Sequence, residues 1–189
     1  MIESAEFKAL TLLRVSCDAA SYPLTATCTV GPNGKPCEGG ADGATGTVSF
    51  KQDCADCPTT VAYDISGMTE GKHGFHIHEK ADFSNGCKSA GPHWNPHGKT
   101  HGNLGDVVCH AGDLGNISAD SAGVATGSVE SSLVKLDGEF SVVGRSVMVH
   151  ADADDLGQGD HSEPGTNGKT SQTTGNAGGR IACGDIVLQ

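Results

Sequence analysis

A two-residue alternation of apolar and polar side chains limits this fold more than any other feature of the sequence. In LTATCTV, residues 24–30, Leu24, Ala26, Cys28 and Val30 fall on one side of an extended chain, and three threonines fall on the other. Because successive side chains of a strand point to opposite faces, the pattern predicts a strand with one buried face.

Short segments of this kind recur along the chain, and no segment shows a helical period. The further predicted strands are TGTVSFK (45–51), TTVAYDIS (59–66), HGFHIHE (73–79), GNIS, GVATGSV, SSLVKL, RSVMVH and the closing RIACGDIVL. Two long Gly-rich loops, at 80–114 and 151–179, separate them, and such loops inside compact domains are usually functional. The sequence therefore predicts an all-β fold, an antiparallel sandwich or barrel of about eight strands with two long functional loops.

Length and charge narrow the classes of protein to which the chain can belong. Its 189 residues suffice for one domain. Residues 1–22 show no clear period, and we interpret them as an N-terminal extension that precedes a single domain at 23–189. The formal net charge of −11 argues against nucleic acid or an anionic membrane as a partner, because both require a basic surface. No apolar run approaches the ~18 residues of a membrane-spanning helix.

The eight cysteines favour an oxidising compartment. The pair in CADC, Cys54 and Cys57, has the spacing of half a zinc ribbon, but no second such pair completes it. Cytosolic proteins rarely keep so many cysteines without a metal or redox role, which favours disulfides and an extracellular, secreted protein whose leader is absent from this chain. The alternative is a cytoplasmic protein, because MIESAEFKALTLLRV is not a recognisable signal peptide.

The histidines are clustered in a way that suggests metal binding. His76 and His78 stand one residue apart in GFHIHEK, so their side chains share one face of a strand with Cβ atoms ~6–7 Å apart. That pair alone could equally be a polar strand surface. Seven of the nine histidines, however, lie between residues 73 and 110, and an eighth is His150 at the end of RSVMVH. His76, His78 and His150 with one more imidazole would form an all-nitrogen set of the kind that Cu(II) prefers.

A second set of ligand types lies in the first long loop. His93, His101, His110 and Asp113 supply three imidazoles and a carboxylate, which suit a four-coordinate zinc ion with no open position. Such a closed site is typically structural.

Six segments, in order, carry a resemblance to a known family: GFHIHE, NGCKSAGPHWNP, KTHG, HAGDLGN, VMVHADADDLG and TGNAGGRIACG. Together they resemble the copper/zinc superoxide dismutases over residues 24–189. The resemblance implies that family's eight-stranded, Greek-key, immunoglobulin-like sandwich. It also implies copper and zinc as cofactors, superoxide as the substrate and a homodimer. The reaction would be dismutation to dioxygen and hydrogen peroxide, in antioxidant defence, by a redox-cycling copper next to a structural zinc.

The resemblance implies a ligand set for each metal, with His93 shared between the two. The copper ligands would be His76, His78, His93 and His150. The zinc ligands would be His93, His101, His110 and Asp113.

It also implies roles for residues outside these sets. Asp154 would join ligands of the two metals by hydrogen bonds, and Arg180 would hold superoxide beside copper. Arg180 and His93 would thus be the catalytic residues. Cys87 and Cys183 would form a disulfide between the first long loop and the last strand.

Several positions depart from the family pattern. Thr173 stands where many relatives have a guiding lysine, and Lys169 is the candidate to replace it. Lys80 and Ala81 stand near the usual subunit contact, and a buried unpaired lysine would be costly there. Asp185 in the last strand is a further departure, for which the sequence offers no explanation.

The remaining cysteines and histidines receive structural interpretations. We expect Cys28 to be a buried free thiol and Cys17 to form a disulfide with Cys54 or Cys57. His73 is expected to be a hydrogen-bonded core residue. His97 and His161 are expected to be solvated loop residues.

Two other functions compete with catalysis. One is a metal-delivery protein built on the same domain, and the other is a copper- and zinc-storing or disulfide-stabilised surface protein without useful turnover. Because histidines occupy all the copper positions, the sequence favours the enzyme.

Overall fold

The structure is a computed structural model, and it describes residues 21–32, 43–159 and 167–189. The ten strands are β1 Leu24–Val30, β2 Thr45–Gln52, β3 Thr59–Ser66, β4 Gly71–His78, β5 Ser84–Cys87, β6 Asp113–Ala119, β7 Ala125–Ser131, β8 Ser146–His150, β9 Arg180–Asp185 and β10 Val187–Leu188. A helix, α1, spans Asn167–Thr174, and a short 3-10 turn spans Lys88–Ala90. None of the described helices is long and apolar enough to span a membrane.

Nine of these strands form two antiparallel sheets that face each other. One sheet has the order β10-β1-β2-β3-β7, and the other has the order β6-β4-β8-β9. The chain passes from one sheet to the other between β3 and β4, between β6 and β7, between β7 and β8 and between β9 and β10, so neither sheet follows the chain order. The predicted all-β antiparallel sandwich is confirmed.

The alternation of apolar and polar residues in the strands explains which side chains form the core between the two sheets. In β1, Ala26, Cys28 and Val30 are at most 2% exposed, while Thr25, Thr27 and Thr29 are exposed. The largest apolar side chains at the centre of the core are Phe50, Ile65, Phe75, Ile77, Leu114, Ile117 and Ile186. Burial of this apolar surface is the main force that holds the sheets together.

Both faces of the strand β4 are buried from His73 to His78. Phe75 and Ile77 point into the core, and His76 and His78 point to the opposite face, where the long loops cover them. A register shift between Gly74 and His76 interrupts the pairing with β6. The strand therefore connects the core directly to the histidine cluster.

Several predictions of secondary structure were wrong. The closing segment RIACGDIVL, predicted as one strand, forms β9 and β10, which lie in different sheets. The segment SSLVKL is irregular after Ser131, because the Ser131 Oγ accepts hydrogen bonds from the amides of Leu133 and Val134 and turns the chain. Val134 and Leu136 are nevertheless buried. The helix α1 was not predicted, because its sequence NGKTSQTT has no apolar residue from which a helical period could be recognised.

The cysteines of the described residues form two disulfides and two buried free thiols. Cys87 is joined to Cys183, as the resemblance implied, and Cys54 is joined to Cys57. The expected disulfide from Cys17 to Cys54 or Cys57 is therefore wrong, because these two partners bind each other. Cys28 is a buried free thiol, as predicted, and so is Cys109.

Some predictions lie outside the described residues or are not tested by them. Cys17, Cys37, His161 and almost all of the extension at 1–22 are outside the described ranges, so the domain boundary stays a prediction. The side chain of Lys169 is also outside them, although its backbone belongs to α1.

Candidate metal centre

Two neighbouring strands and one loop bring four imidazoles together. His76 and His78 lie on β4, His150 ends the adjacent strand β8, and His93 reaches them from the first long loop. The ring centre of His76 lies 4.1 Å from that of His93 and 4.9 Å from that of His150. All four side chains are at most 4% exposed. These are the four residues that the sequence predicted as copper ligands.

In each of these imidazoles, one nitrogen is held by the protein and the other has no hydrogen-bond partner. The held nitrogens contact Asp154 Oδ2 (His76 Nε2, 2.8 Å), the Gly91 carbonyl (His78 Nδ1, 2.8 Å), Asp113 Oδ1 (His93 Nδ1, 2.9 Å) and the Gly178 carbonyl (His150 Nδ1, 3.2 Å). The nitrogens without a partner are His76 Nδ1, His78 Nε2, His93 Nε2 and His150 Nε2.

Buried polar atoms without a partner are costly, and four of them converge here. The four residues offer ligand atoms that lie within 4.8 Å of one another. Because a metal ion would satisfy all four nitrogens, the arrangement fits a copper site.

A second ligand group surrounds the carboxylate of Asp113. The distances from Asp113 Oδ1 to the Nδ1 atoms of His93, His101 and His110 are 2.9, 3.0 and 3.2 Å. A tetrahedral zinc ion with ligands at ~2.0 Å would separate neighbouring ligand atoms by ~3.3 Å. These four residues therefore fit the predicted zinc site.

A group of ligand atoms in this region that all lie within 4.8 Å of one another has a slightly different membership. It contains His76, His93, His101 and Asp113, with His110 outside it. His76, however, already contacts Asp154 through Nε2, and its Nδ1 belongs to the first set. We therefore regard His110, whose Nδ1 is 3.4 Å from His93 Nδ1, as the better fourth member.

Asp154 connects the two groups. Its Oδ2 lies 2.8 Å from His76 Nε2, and its Oδ1 lies 2.8 Å from His101 Nε2. Because a carboxylate accepts hydrogen bonds, the Nε2 atoms of both histidines carry a proton, and their Nδ1 atoms face the metal positions. Asn116 holds the Asp154 backbone through two bonds of 2.8 and 2.9 Å. The side chain of Asn116 is thus engaged inside the protein.

Burial keeps the first set of imidazoles neutral. It lowers the pKa of His76 and His78 well below the usual value, and the neighbouring imidazoles add to this effect. The pKa of His150 is lowered to about 3, again mainly by burial. Neutral imidazole is the form that binds metal ions, so these histidines are prepared for ligation.

The pKa values in the second group are shifted differently, because its imidazoles lie against the carboxylates of Asp113 and Asp154. Burial alone would raise the pKa of Asp113, but hydrogen bonds from His101, His110 and His93 hold it far below its ordinary value. Burial alone would lower the pKa of His101, but its bonds to Asp113 and Asp154 raise that pKa to about 9.

Arg180 begins β9 and lies beside the first set. Its Nη1 donates to the Cys87 carbonyl (2.9 Å), and its Nη2 donates to the Gly91 carbonyl (2.7 Å). Burial and the neighbouring imidazoles are the main causes of the lowered pKa of His78, and the positive charge of Arg180 lowers it further. The disulfide Cys87–Cys183 joins the same loop to β9, so the guanidinium position is fixed from both ends.

The carbonyl of Gly91 is a functional group that the sequence did not reveal. It accepts hydrogen bonds from both His78 and Arg180, and so it fixes the position of the guanidinium relative to the histidine. A main-chain oxygen has no signature in sequence. The only trace is the glycine itself, which adopts a positive φ of 78° at this turn.

The other predicted residues lie outside the two groups. His73 is buried and bonds the carbonyls of His150 and Thr69 at 2.8 Å each, as expected for a core residue. His97 is exposed and packs against Phe140. Thr173 is exposed on α1, where its Oγ1 bonds the Thr170 carbonyl.

The family described as copper/zinc superoxide dismutase (SODC) matches residues 44–186, which is most of the chain.

Proposed function

The chain belongs to the copper/zinc superoxide dismutase family, and we propose that it catalyses dismutation through a redox-active copper held next to a structural zinc. It is thus an oxidoreductase with copper and zinc as cofactors and superoxide as its substrate. The finer proposal assigns copper to His76, His78, His93 and His150. It assigns zinc to His93, His101, His110 and Asp113.

The observation that carries this proposal is the set of four buried imidazole nitrogens without partners. Each belongs to a ring whose other nitrogen is already bonded to the protein. Copper bound there would supply one-electron chemistry, accepting an electron from one superoxide and returning it to a second. The His93 ring has a nitrogen in each group, which supports its role as the shared ligand.

Arg180 supplies the positive charge for an anionic substrate. The whole chain carries a net charge of −11, which would repel superoxide, so a local positive field is needed at the site. The guanidinium is held by carbonyls of the first long loop and is partly exposed, so it can contact solvent and anion together.

His93 can hold a proton for the second half of the reaction. Its Nδ1 lies in the proposed zinc group, 2.9 Å from Asp113 Oδ1, and its Nε2 is the nitrogen without a protein partner. Formation of hydrogen peroxide consumes protons, and a proton carried on Nε2 would be available beside the substrate.

The test combines metal analysis with superoxide consumption. Wild type is expected to hold both metals and to be active, whereas His150→Ala is expected to lose copper and activity but to keep zinc. His97→Ala, which removes an exposed histidine outside both groups, is the matched control and should match wild type. Full metal occupancy without superoxide consumption in wild type would contradict the proposal and favour metal storage or delivery.

Compartment and assembly are part of the proposal. Two disulfides among the described residues support secretion and a role in antioxidant defence outside the cell.

Lys80 and Ala81 are exposed on the single chain. A homodimer through the family's usual contact would need a partner for Lys80, and analytical ultracentrifugation at several protein concentrations would measure whether it forms.

A further inference from the structure

A second disulfide lies at the tip of the hairpin between β2 and β3, away from the residues of the metal centre. Cys54 and Cys57 are separated by two residues, and both are partly exposed. The disulfide Cys87–Cys183, by contrast, is buried and closes a sequence separation of 96 residues. An attacking thiolate can therefore reach the first disulfide far more easily than the second.

The hairpin tip is held in place by contacts that do not involve sulfur. The side chain of Gln52 is fully buried; its Nε2 donates to the Ala55 carbonyl at 3.0 Å, and its Oε1 accepts from the Leu136 amide at 2.9 Å. Lys135 Nζ donates to the Cys57 carbonyl at 2.9 Å. The two strands are paired without interruption from Thr45 to Gln52. Breaking the S–S bond thus leaves the turn tied to the protein.

The small ring that the Cys54–Cys57 disulfide closes also indicates that this bond contributes little to stability. The stabilisation that a disulfide gives by restricting the unfolded chain grows with the logarithm of the loop it closes. A separation of three residues therefore contributes much less to stability than a separation of 96. The Cys54–Cys57 disulfide is therefore poorly suited to stabilise the fold.

We propose that Cys54 and Cys57 form a second redox site, a dithiol/disulfide pair that exchanges reversibly with external thiolates. The partner chemistry is a thiolate sulfur, supplied either by a small monothiol or by a protein dithiol. This site functions independently of the metal centre and of the dismutase reaction.

The surrounding charges assign different roles to the two sulfurs. Asp53 precedes Cys54 and Asp56 precedes Cys57, so each cysteine has one exposed acidic neighbour. The Lys51 ammonium group is paired with the Asp53 carboxylate at 2.8 Å, whereas the Lys135 ammonium group donates to the main-chain carbonyl of Cys57 itself. A positive charge favours the thiolate, so Cys57 is the better leaving sulfur.

The exchange proceeds in two balanced steps. A thiolate RS⁻ attacks Cys54 Sγ, the S–S bond breaks, and its electron pair leaves with Cys57 Sγ. A second RS⁻ attacks the sulfur of R in the mixed disulfide, which forms R–S–S–R and releases Cys54 Sγ, and both protein sulfurs can then take up protons. Two electrons pass to the protein, and a disulfide R–S–S–R reverses both steps.

The first experiment equilibrates the metal-loaded protein with glutathione buffers of increasing reducing strength, followed by acid quenching, alkylation and peptide mapping. Cys54 and Cys57 are expected to gain label together while Cys87 and Cys183 stay unlabelled, and oxidised glutathione should restore the bond. Circular dichroism, metal content and superoxide consumption should not change. Labelling that occurs only together with Cys87 and Cys183, or only with loss of the β-sheet spectrum, would overturn the proposal.

The second experiment measures the rate of reduction in Lys135→Gln, which keeps a donor for the Cys57 carbonyl but removes the charge. The rate is expected to fall about two- to fivefold, because the leaving thiolate is less stabilised. Lys72→Gln, an exposed lysine on β4, is the matched control and should leave the rate unchanged. Equal rates in wild type and Lys135→Gln would refute the assignment of Cys57 as the leaving sulfur.

The third experiment traps the intermediate and identifies the thiol source. Cys57→Ser incubated with oxidised glutathione should carry one glutathione on Cys54, and a failure to form this adduct would contradict attack at Cys54. In wild type, faster reduction by a dithiol peptide than by glutathione at equal thiolate concentration would identify a protein dithiol as the partner. The reverse order would identify a small monothiol.

Discussion

The carboxylate of Asp154 lies 2.8 Å from His76 Nε2, and both side chains are fully buried. The other oxygen of the same carboxylate holds His101, so one residue orients a ligand in each of the two groups. Any change at Asp154 should therefore affect both metals.

Asp154→Asn replaces one acceptor oxygen by a donor amide. The amide nitrogen would face the N–H of His76 or His101, so one of the two rings would lose its orientation. We expect affinity for the metals to fall by about 10- to 100-fold, with zinc affinity measured by competition with a chromogenic chelator. Asp64→Asn, an exposed carboxylate on β3, serves as the control, and equal chelator curves for the two variants would contradict the orienting role.

Arg180→Ala should lower the rate of superoxide consumption about tenfold and flatten its dependence on ionic strength, because a local attractive charge is lost. Arg180→Lys keeps the charge but not the paired bonds to Cys87 and Gly91, so it should retain a salt dependence. Stopped-flow rates at several salt concentrations measure both effects. A salt profile of Arg180→Ala that equals that of wild type would exclude steering by this residue.

Gly175 lies directly against the connecting carboxylate, with a positive φ of 63°. A Cβ at this position would overlap Asp154 Oδ1 and His101 Nε2. Gly175→Ala should lower the free energy of unfolding by about 1–3 kcal/mol and release zinc, as followed by urea denaturation and metal analysis. Gly138→Ala has a φ of 75° but open space around it, so it measures the backbone cost alone. Zinc retention in Gly175→Ala equal to that in Gly138→Ala would argue against the steric explanation.

The metal-free protein should become less stable as pH rises above neutrality. Hydrogen bonds to Asp113 and Asp154 overcome burial and raise the pKa of His101 from 6.5 to about 9. A raised pKa contributes stability that is complete below pH 6.5 and is lost as pH rises through 9. Urea denaturation of the metal-free protein should show a loss of roughly 2–3 kcal/mol over this range.

His101→Gln should remove most of this pH dependence, whereas His97→Gln, at an exposed position, should preserve it. The same proton must leave when zinc binds, so zinc affinity should rise with pH up to about 9. A metal-free His101→Gln protein with the pH profile of wild type would show that another group is responsible.

The sequence predicted much of this architecture because alternation and burial coincide. The bounds of β1 and β3 were predicted to the residue, since each has a clear two-residue pattern. The helix α1 could not be predicted, because polar residues alone give no period and its position depends on contacts such as that between the His101 amide and the Gln172 carbonyl. The ligand sets followed from histidine spacing and family resemblance.

Contacts through the main chain were beyond prediction. The carbonyls of Gly91 and Gly178, which hold His78 and His150, leave no mark in the sequence. The bond between Cys54 and Cys57 was not predicted either, because Cys17 was expected to pair with one of them; the turn between β2 and β3 instead brings the two sulfurs of CADC together.

The two buried faces of β4 have a consequence for the order in which the protein matures. Phe75 and Ile77 belong to the core, and His76 and His78 belong to the metal groups, so folding of the sandwich does not require the ligands to be filled. Metal loading can then be a late event on an already rigid support. A cell could accumulate the folded chain in advance and activate it when copper and zinc become available.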